Sequence, residues 1–375
     1  MRIAFIGQKG IPLIKDGGGV ERHVEELSTR LAKRGHEIFV YVRPRFKISG
    51  EKKFEEVNLI IIPSIPTKNL DTITHTFLAT IHVLFKKADV IHYHGVGPAT
   101  LAWIPRLLKR KTKIIATFHS QDKYHQKWGW FARIYLSFGE WAACRFPNQT
   151  IAVSHSIKKY CDDKFKNCNC VYIPNGVEPQ KIAKDDKLKK WNLEKGKYLM
   201  TAARLIRHKG IHHLISAYHK LSEESPKLEF PPKLVIAGAP SFSKDYREYL
   251  TKLAAGCSDI IFTGFQSGET LAQLFAHAYL YVHPSESEGL SITILEAMSY
   301  GKCVVMSDIP ENLEMIDHSG VAFKTADAKD LKEKLISLIN HPEIVKERSA
   351  KAIDFIKKYY NWEKIVEKTE EVYKK

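Results

Sequence analysis

Arg2-Ile3-Ala4-Phe5-Ile6-Gly7 is a short apolar run closed by glycine, followed by a loop that ends in Gly17-Gly18-Gly19. Val20, Val24, Leu27 and Leu31 then recur at helical spacing until Gly35. A strand, a glycine-rich loop and a helix with one apolar stripe make a β-loop-α unit, and the same alternation continues outward. Strand-like runs fall at His36 to Val42, Val57 to Ile62, Asp89 to Tyr93, Lys113 to Phe118 and Gln149 to Ser154, with helix-length segments between most of them. A second series occupies Tyr198 to Ala203, Lys233 to Ala237, Asp259 to Thr263, Tyr279 to His283 and Cys303 to Ser307. Strands alternating with helices predict parallel sheets covered on both faces, so the expected class is α/β with two doubly wound domains.

The turn Ile173-Pro174-Asn175-Gly176-Val177, followed by the charged segment Lys181 to Lys190, marks the expected hinge. This divides the chain into a first domain at residues 1–175, a second at 176–355 and a closing helix at 356–375. Trp362, Ile365, Val366 and Tyr373 are spaced to form an apolar stripe on that helix, which suits a return to the first domain.

The 375 residues are 44% hydrophobic, enough for two real cores. The longest apolar stretches, such as Leu59 to Ile65 and Phe77 to Phe85, are broken by Pro, Thr or His and fall short of the ~20 residues a spanning helix needs. Met1 to Gly7 is shorter than a secretory apolar region, and the expected location is cytoplasmic. Six cysteines, at 144, 161, 168, 170, 257 and 303, are too few and too unevenly placed for a disulfide scaffold. Free thiols are expected, and Cys161, Cys168 and Cys170 lack the paired C-x-x-C spacing that would favour a zinc site among them. Of the net charge of +16, residues 1 to 180 carry 28 Lys+Arg against 15 Asp+Glu. Such a field suits nucleic acid, an anionic membrane or a phosphorylated substrate, and equally a solvated surface.

Three loops carry candidate chemistry. Gly17 to Gly19 before a helix permits close approach of an anion to free N–H groups, although a tight turn needs the same residues. A dinucleotide dehydrogenase would place an acid after the second strand, where Val42-Arg43-Pro44-Arg45 stands instead. Arg204-Leu205-Ile206-Arg207-His208-Lys209-Gly210 follows a strand at the end where open α/β sheets bind ligands, and its cations suit a diphosphate as well as solvent. In Glu286-Ser287-Glu288-Gly289-Leu290-Ser291-Ile292-Thr293-Ile294-Leu295-Glu296-Ala297-Met298, Glu288 precedes a helix and Glu296 lies about a turn and a half into it. The two carboxylates therefore need not face each other.

Arg204 with Lys209 in R-L-x-x-x-K-G, and Glu288 with Glu296 in E-G-x(6)-E-A-M, resemble the retaining glycosyltransferases of family 4. Gly18 to His23, Thr117-Phe118-His119, Pro174 to Val177 and Phe262-Thr263-Gly264-Phe265 follow the same order, so the resemblance covers nearly the whole chain. It implies the GT-B fold, two Rossmann-like domains facing a cleft, with acceptor binding in the first and a nucleotide-sugar donor in the second. By the resemblance, Arg204 and Lys209 hold the donor diphosphate and stabilise the leaving group. Glu288 meets the donor sugar, Glu296 the ribose, and Phe265 the base. Leu290, Ser291 and Ile292 offer helix-opening N–H groups, Gly18 and Gly19 line the diphosphate, and His119 touches the transferred sugar. Two residues depart from the pattern: Ser291 stands where many members have glycine, and Ser120 where they have an acid or glycine.

His92, His94 and His119 end two neighbouring strands and have the residue types of a zinc site, yet the family uses no metal for donor binding and the chain has no D-x-D. No metal or other cofactor is expected. The basic, aromatic segments Trp103 to Lys111 and Trp128 to Trp141 suit peripheral contact with the anionic inner face of the cell membrane and a sugar or lipid-linked acceptor; buried aromatics with a basic rim are the alternative. The rival functions are a GT-B epimerase or phosphorylase, and a non-catalytic nucleic-acid binder using the basic half. No RNP-like order of aromatics is present, and nucleic acid is not the expected partner.

Overall fold

The computed structural model describes residues 1–13, 17–46, 51–67, 70–121, 130–223, 228, 230, 232–240, 245–316 and 319–375. They form two compact units, Met1–Asn175 together with Trp362–Lys375, and Gly176–Asn361.

The first unit contains β1 (Arg2–Ile6), α1 (Gly19–Lys33), β2 (Glu37–Val42), β3 (Lys53–Phe54), β4 (Val57–Ile61), α2 (Leu70–Leu84) and β5 (Val90–His94). It continues through α3 (Val96–Ala99), α4 (Trp103–Leu108), β6 (Lys113–Phe118), α5 (Trp130–Arg145), β7 (Gln149–Ala152), α6 (His155–Lys164) and β8 (Cys170–Tyr172). The sheet runs β3-β4-β2-β1-β5-β6-β7-β8, parallel throughout except for β3 against β4. Strand order reverses between β1 and β5, which makes the crevice beyond their carboxyl ends the natural ligand site.

Gly7 is required there. At φ +118° its position is unfavourable for an L side chain, and a Cβ would lie 2.6 Å from the carbonyl oxygen of His94. β1 can therefore pass the end of β5 only with glycine at this point.

The second unit contains β9 (Tyr198–Ala202), α7 (Ile211–Ser222), β10 (Lys233–Ala237), α8 (Asp245–Leu253), β11 (Ile260–Gly264), α9 (Gly268–His277) and β12 (Leu280–His283). α10 (Ile292–Ser299), β13 (Cys303–Ser307), α11 (Pro310–Leu313), β14 (Gly320–Phe323), α12 (Ala328–Asn340) and α13 (Pro342–Tyr359) complete it. Its sheet, β11-β10-β9-β12-β13-β14, is parallel and has the dinucleotide-fold order, with its switch point between β9 and β12. Apolar residues of β9, β10, β12 and β13 pack with α7 and α12, for example Leu199, Ile236, Leu214 and Leu335, all buried.

The chain passes from one unit to the other between Asn175 and Gly176, inside the Pro-Asn-Gly turn. The later division differs from the one expected at 355/356, which falls inside α13: Phe355 and Ile356 are buried, and the unit ends at Asn361. The last helix, α14 (Trp362–Lys374), belongs to the first unit. Trp362, Ile365, Val366 and Tyr373 enter the core that contains Ile3, Val24 and Val90. Tyr373 reaches far enough in for its hydroxyl to lie 2.7 Å from His92 Nδ1.

Candidate active site

In the second unit, two loops meet at the switch point. After β9 the chain keeps pairing with its neighbour, Ala203 N donating to Ala237 O at 3.0 Å and Leu205 N to Ala239 O at 3.0 Å, and this fixes the backbone on either side of Arg204. The loop then turns at Gly210, where φ is +66° and a Cβ would lie 1.8 Å from the Pro284 carbonyl oxygen. Only glycine lets the two loops come this close. They are joined by His208 O, which accepts from Glu286 N at 2.8 Å and Ser285 Oγ at 3.1 Å.

This stitching places Lys209 Nζ 2.5 Å from Glu288 Oε1, and His283 Nε2 at 2.7 Å from the same oxygen. Burial raises the carboxyl's pKa, but Lys209 and His283 outweigh it and hold Glu288 well below the usual carboxylate range. Burial likewise pushes the His283 imidazole down. A neutral ring with its proton on Nε2 is then a donor to Glu288. Both bonds go to Oε1, which leaves Oε2 without a partner among the described residues. Arg204, part-buried in the same loop as Lys209, has no ion pair or side-chain hydrogen bond among the described residues. One carboxylate oxygen and one guanidinium are thus presented without internal partners at the place where such sheets bind ligands.

α10 begins one residue after Ser291, whose hydroxyl lies 3.1 Å from that of Thr293. Along the helix only Thr293 and Glu296 are incompletely buried, and their i, i+3 spacing puts them on one face. Glu288 and Glu296 belong to different elements, as their spacing predicted. Leu290, Ser291 and Ile292 are buried, and Phe265 follows the β11 terminus, part-exposed. His283 had no place in the sequence reading; its position as the last residue of the strand at the switch point was the available signal. His213 Nε2, 3.0 Å from Glu286 Oε1, was likewise not anticipated.

The first unit has its own polar cluster at its own switch point. Gly18 caps α1, and Glu21 clamps the preceding loop by accepting from Gly18 N at 2.8 Å and Lys9 N at 3.0 Å. Gly19 is the first helical residue, so the N–H groups of the opening turn have no intrahelical acceptor. His119 follows β6, its Nε2 3.2 Å from His94 Nδ1, and the His23 ring of α1 is centred 5.1 Å from that of His119. Burial lowers the pKa of His23 to about 4 and those of His94 and His119 well below the usual value, so three neutral rings face one another. His94 Nε2 and His23 Nδ1 lack hydrogen-bond partners among the described residues.

The histidine trio differs from the one considered from the sequence. His92 is bonded on both nitrogens, to Tyr373 and to Thr117 Oγ1, whereas His23, His94 and His119 bring ligand atoms within 4.8 Å of one another. At the end of β2, where a dehydrogenase would carry an acid, Arg43 forms a buried pair with Asp71 at 3.0 Å and donates to Gly7 O at 3.2 Å.

Two doubly wound domains, each with a glycine-bearing polar loop at its switch point, define the GT-B class of glycosyltransferases. Residues 183–373 match the model of the family described as glycosyl transferases group 1, and the chain belongs to that family. Residues 17–181 match the glycosyltransferase family 4 model. An uncharacterized glycosyltransferase of Methanocaldococcus jannaschii is 26% identical over 385 residues, covering 96% of this chain and 95% of its own. Alpha-monoglucosyldiacylglycerol synthase of Streptococcus pneumoniae is 25% identical over 331 residues, covering 83% of this chain and 72% of its own. Anabaena HepE, solved in complex with UDP-glucose, superimposes with a TM-score of 0.79 at 18% identity, over 99% of both chains. The protein is a glycosyltransferase of GT-B fold.

Proposed function

We propose that this glycosyltransferase takes a sugar from a nucleoside-diphosphate sugar and transfers it, with retention and without a divalent ion, to a hydroxyl of a lipid-linked or saccharide acceptor. The observation that carries the donor half is the cluster of Lys209, His283 and Glu288 at the β9/β12 switch point, with Arg204 in the same loop as Lys209 and without an ion pair among the described residues. Paired cations supply the charge that a metal provides elsewhere, because Arg grips phosphate oxygens as a fork and Lys adds a point charge. HepE in its complex with UDP-glucose supports the same reading of the donor.

In the reaction we infer, the bond from the anomeric carbon to the diphosphate oxygen breaks as Arg204 and Lys209 stabilise the developing charge. The acceptor oxygen forms the new bond on the same face, and its proton passes to a phosphate oxygen. Glu288 Oε2 orients the sugar, Glu296 holds the ribose, Phe265 meets the base, and the opening turn of α10 at Leu290 to Ile292 takes phosphate. Gly18 and Gly19 face the diphosphate from the acceptor domain, where neutral His119 bonds to the transferred sugar.

The acceptor half rests on α5 and α4. Trp130, Ile134, Phe138 and Trp141 are exposed and recur along one face of α5, with Trp130 75% accessible. Trp130, Phe138 and Trp141 are thus not buried, whereas Tyr135 is part-buried; Lys127 and Trp128 lie outside the described residues. On α4, Trp103, Leu107 and Leu108 are exposed with Arg106. Among the described residues no helix is long and apolar enough to cross a membrane. An apolar, cation-rimmed face suits the surface of an anionic bilayer, and the similarity to a glycolipid synthase favours a lipid-linked acceptor.

Thermal-shift screening with UDP-, GDP- and ADP-sugars tests the donor reading. One of them should stabilise the protein, equally well in EDTA and in Mg2+ or Mn2+, and Arg204→Ala should abolish the shift and lower turnover at least ~100-fold. Full activity of Arg204→Ala would remove the assignment.

A further inference from the structure

The first unit carries four of the chain's six cysteines, none of them part of its switch-point cluster. Cys144 closes α5, Cys161 lies on α6, Cys168 is in the turn that follows, and Cys170 opens the edge strand β8. The sulfurs of Cys144, Cys161 and Cys168 lie within 4.8 Å of one another. Cys170, buried at the start of β8 and two residues after Cys168, is the fourth cysteine of this region. Cys144, Cys161 and Cys170 are buried, and Cys168 is part-exposed.

The geometry points to a structural Zn2+ site in which Cys144, Cys161, Cys168 and Cys170 are the four ligands. Four thiolates held at about 2.3 Å around a tetrahedral ion stand roughly 3.8 Å apart. The sulfurs of Cys144, Cys161 and Cys168, all within 4.8 Å of one another, are compatible with ligation of one such ion. Binding exchanges four thiol protons, released to solvent, for one ion, and no electron moves. The resulting excess negative charge has a cation nearby in sequence, Lys158, three residues before Cys161 on α6 and paired there with Asp162.

The spacing of Cys161, Cys168 and Cys170 concealed the site, because the fourth ligand comes from a helix seventeen residues earlier in the chain. Its place in the fold suggests its work. β8 is only three residues long and pairs on one side alone, with β7. A metal joining its first residue to the ends of α5 and α6 fastens this edge just before the chain leaves the unit at Asn175.

The full chain, purified under reducing conditions without chelator, should carry about one zinc per molecule by elemental analysis, released when a mercurial titrates its thiols. Cobalt substituted for zinc should give the visible and charge-transfer bands of tetrahedral thiolate coordination. Cys161→Ser should lower the retained metal more than ~10-fold, the least that even an outer-shell change costs, whereas Cys257→Ser and Cys303→Ser should leave it unchanged. If Cys161→Ser does not fold, the stoichiometry and cobalt spectrum of the unaltered protein decide. Less than about a tenth of an ion per chain with the thiols reduced and zinc supplied, or mass spectra showing these cysteines paired as disulfides, would overturn the site.

Discussion

Glu288 offers its two oxygens to different tasks. Oε1 is occupied by Lys209 and His283, while Oε2 has no partner among the described residues. Glu288→Gln keeps the shape but removes the charge opposite Lys209, and is expected to lower kcat by ~100-fold or more with little change in donor KM. Glu296→Gln, remote on α10, should instead raise donor KM about ten-fold at nearly constant kcat. Steady-state kinetics on both variants separates the roles; equal losses explained by unfolding would make the pair structural.

His23 makes a prediction about acid. Its pKa is lowered from the ordinary 6.5 to about 4 by burial, so the unfolded chain binds a proton below 6.5 that the folded chain refuses until about 4. Stability is therefore lost as pH falls through that window, by about 3 kcal/mol in full and about 2 by pH 5. Urea midpoints of the first unit should drop between pH 7 and pH 5, and His23→Gln should flatten the drop. An unchanged slope in the variant would show that His23 is charged in the native state.

At the scale of elements, the donor cluster depends on two loops that one glycine allows to touch. Gly210→Ala brings both a positive φ and a Cβ 1.8 Å from the Pro284 carbonyl oxygen. Gly35, after α1, has φ +85° but nothing within 4 Å of its Cβ position, so Gly35→Ala isolates the conformational cost. Gly35→Ala should cost about 1 kcal/mol in thermal or urea melts. Gly210→Ala should cost several times that and also weaken donor binding. Comparable losses in the two would mean that the loops can separate without penalty.

At the scale of the molecule, charge and exposed apolar surface coincide in the first unit. Lys109 is excluded from this patch, contrary to the sequence expectation, because its Nζ donates to Leu84 O at 3.2 Å and Lys86 O at 2.7 Å. Arg106, Arg110 and Lys111 remain exposed. Each cation near an anionic bilayer contributes ~1 kcal/mol, so replacing these three by Ser should weaken cosedimentation with phosphatidylglycerol vesicles roughly 100-fold while sparing donor hydrolysis. High salt should release the unaltered protein. If that protein ignores such vesicles at low salt, the acceptor is not presented at a membrane surface.

Much of this was legible in the order of residues. Strand and helix alternate with periods that local sterics enforce, and the R-L-x-x-x-K-G and E-G-x(6)-E-A-M motifs are local strings whose positions relative to strand ends follow from that alternation. The strands β3, β8 and β14 were not read from the sequence; β3 and β8, of two and three residues, carry no readable period. Contacts between residues distant in sequence belong to the tertiary structure alone. His283 meets Lys209 on Glu288, Tyr373 crosses 281 residues to engage His92 in place of a ligand, and Cys144 meets Cys161 and Cys168. Such contacts depend on which strands become neighbours and which loops a glycine allows to approach. Sequence spacing records neither, because the chain is brought together by burial of its apolar faces, and the polar groups meet where that burial leaves them.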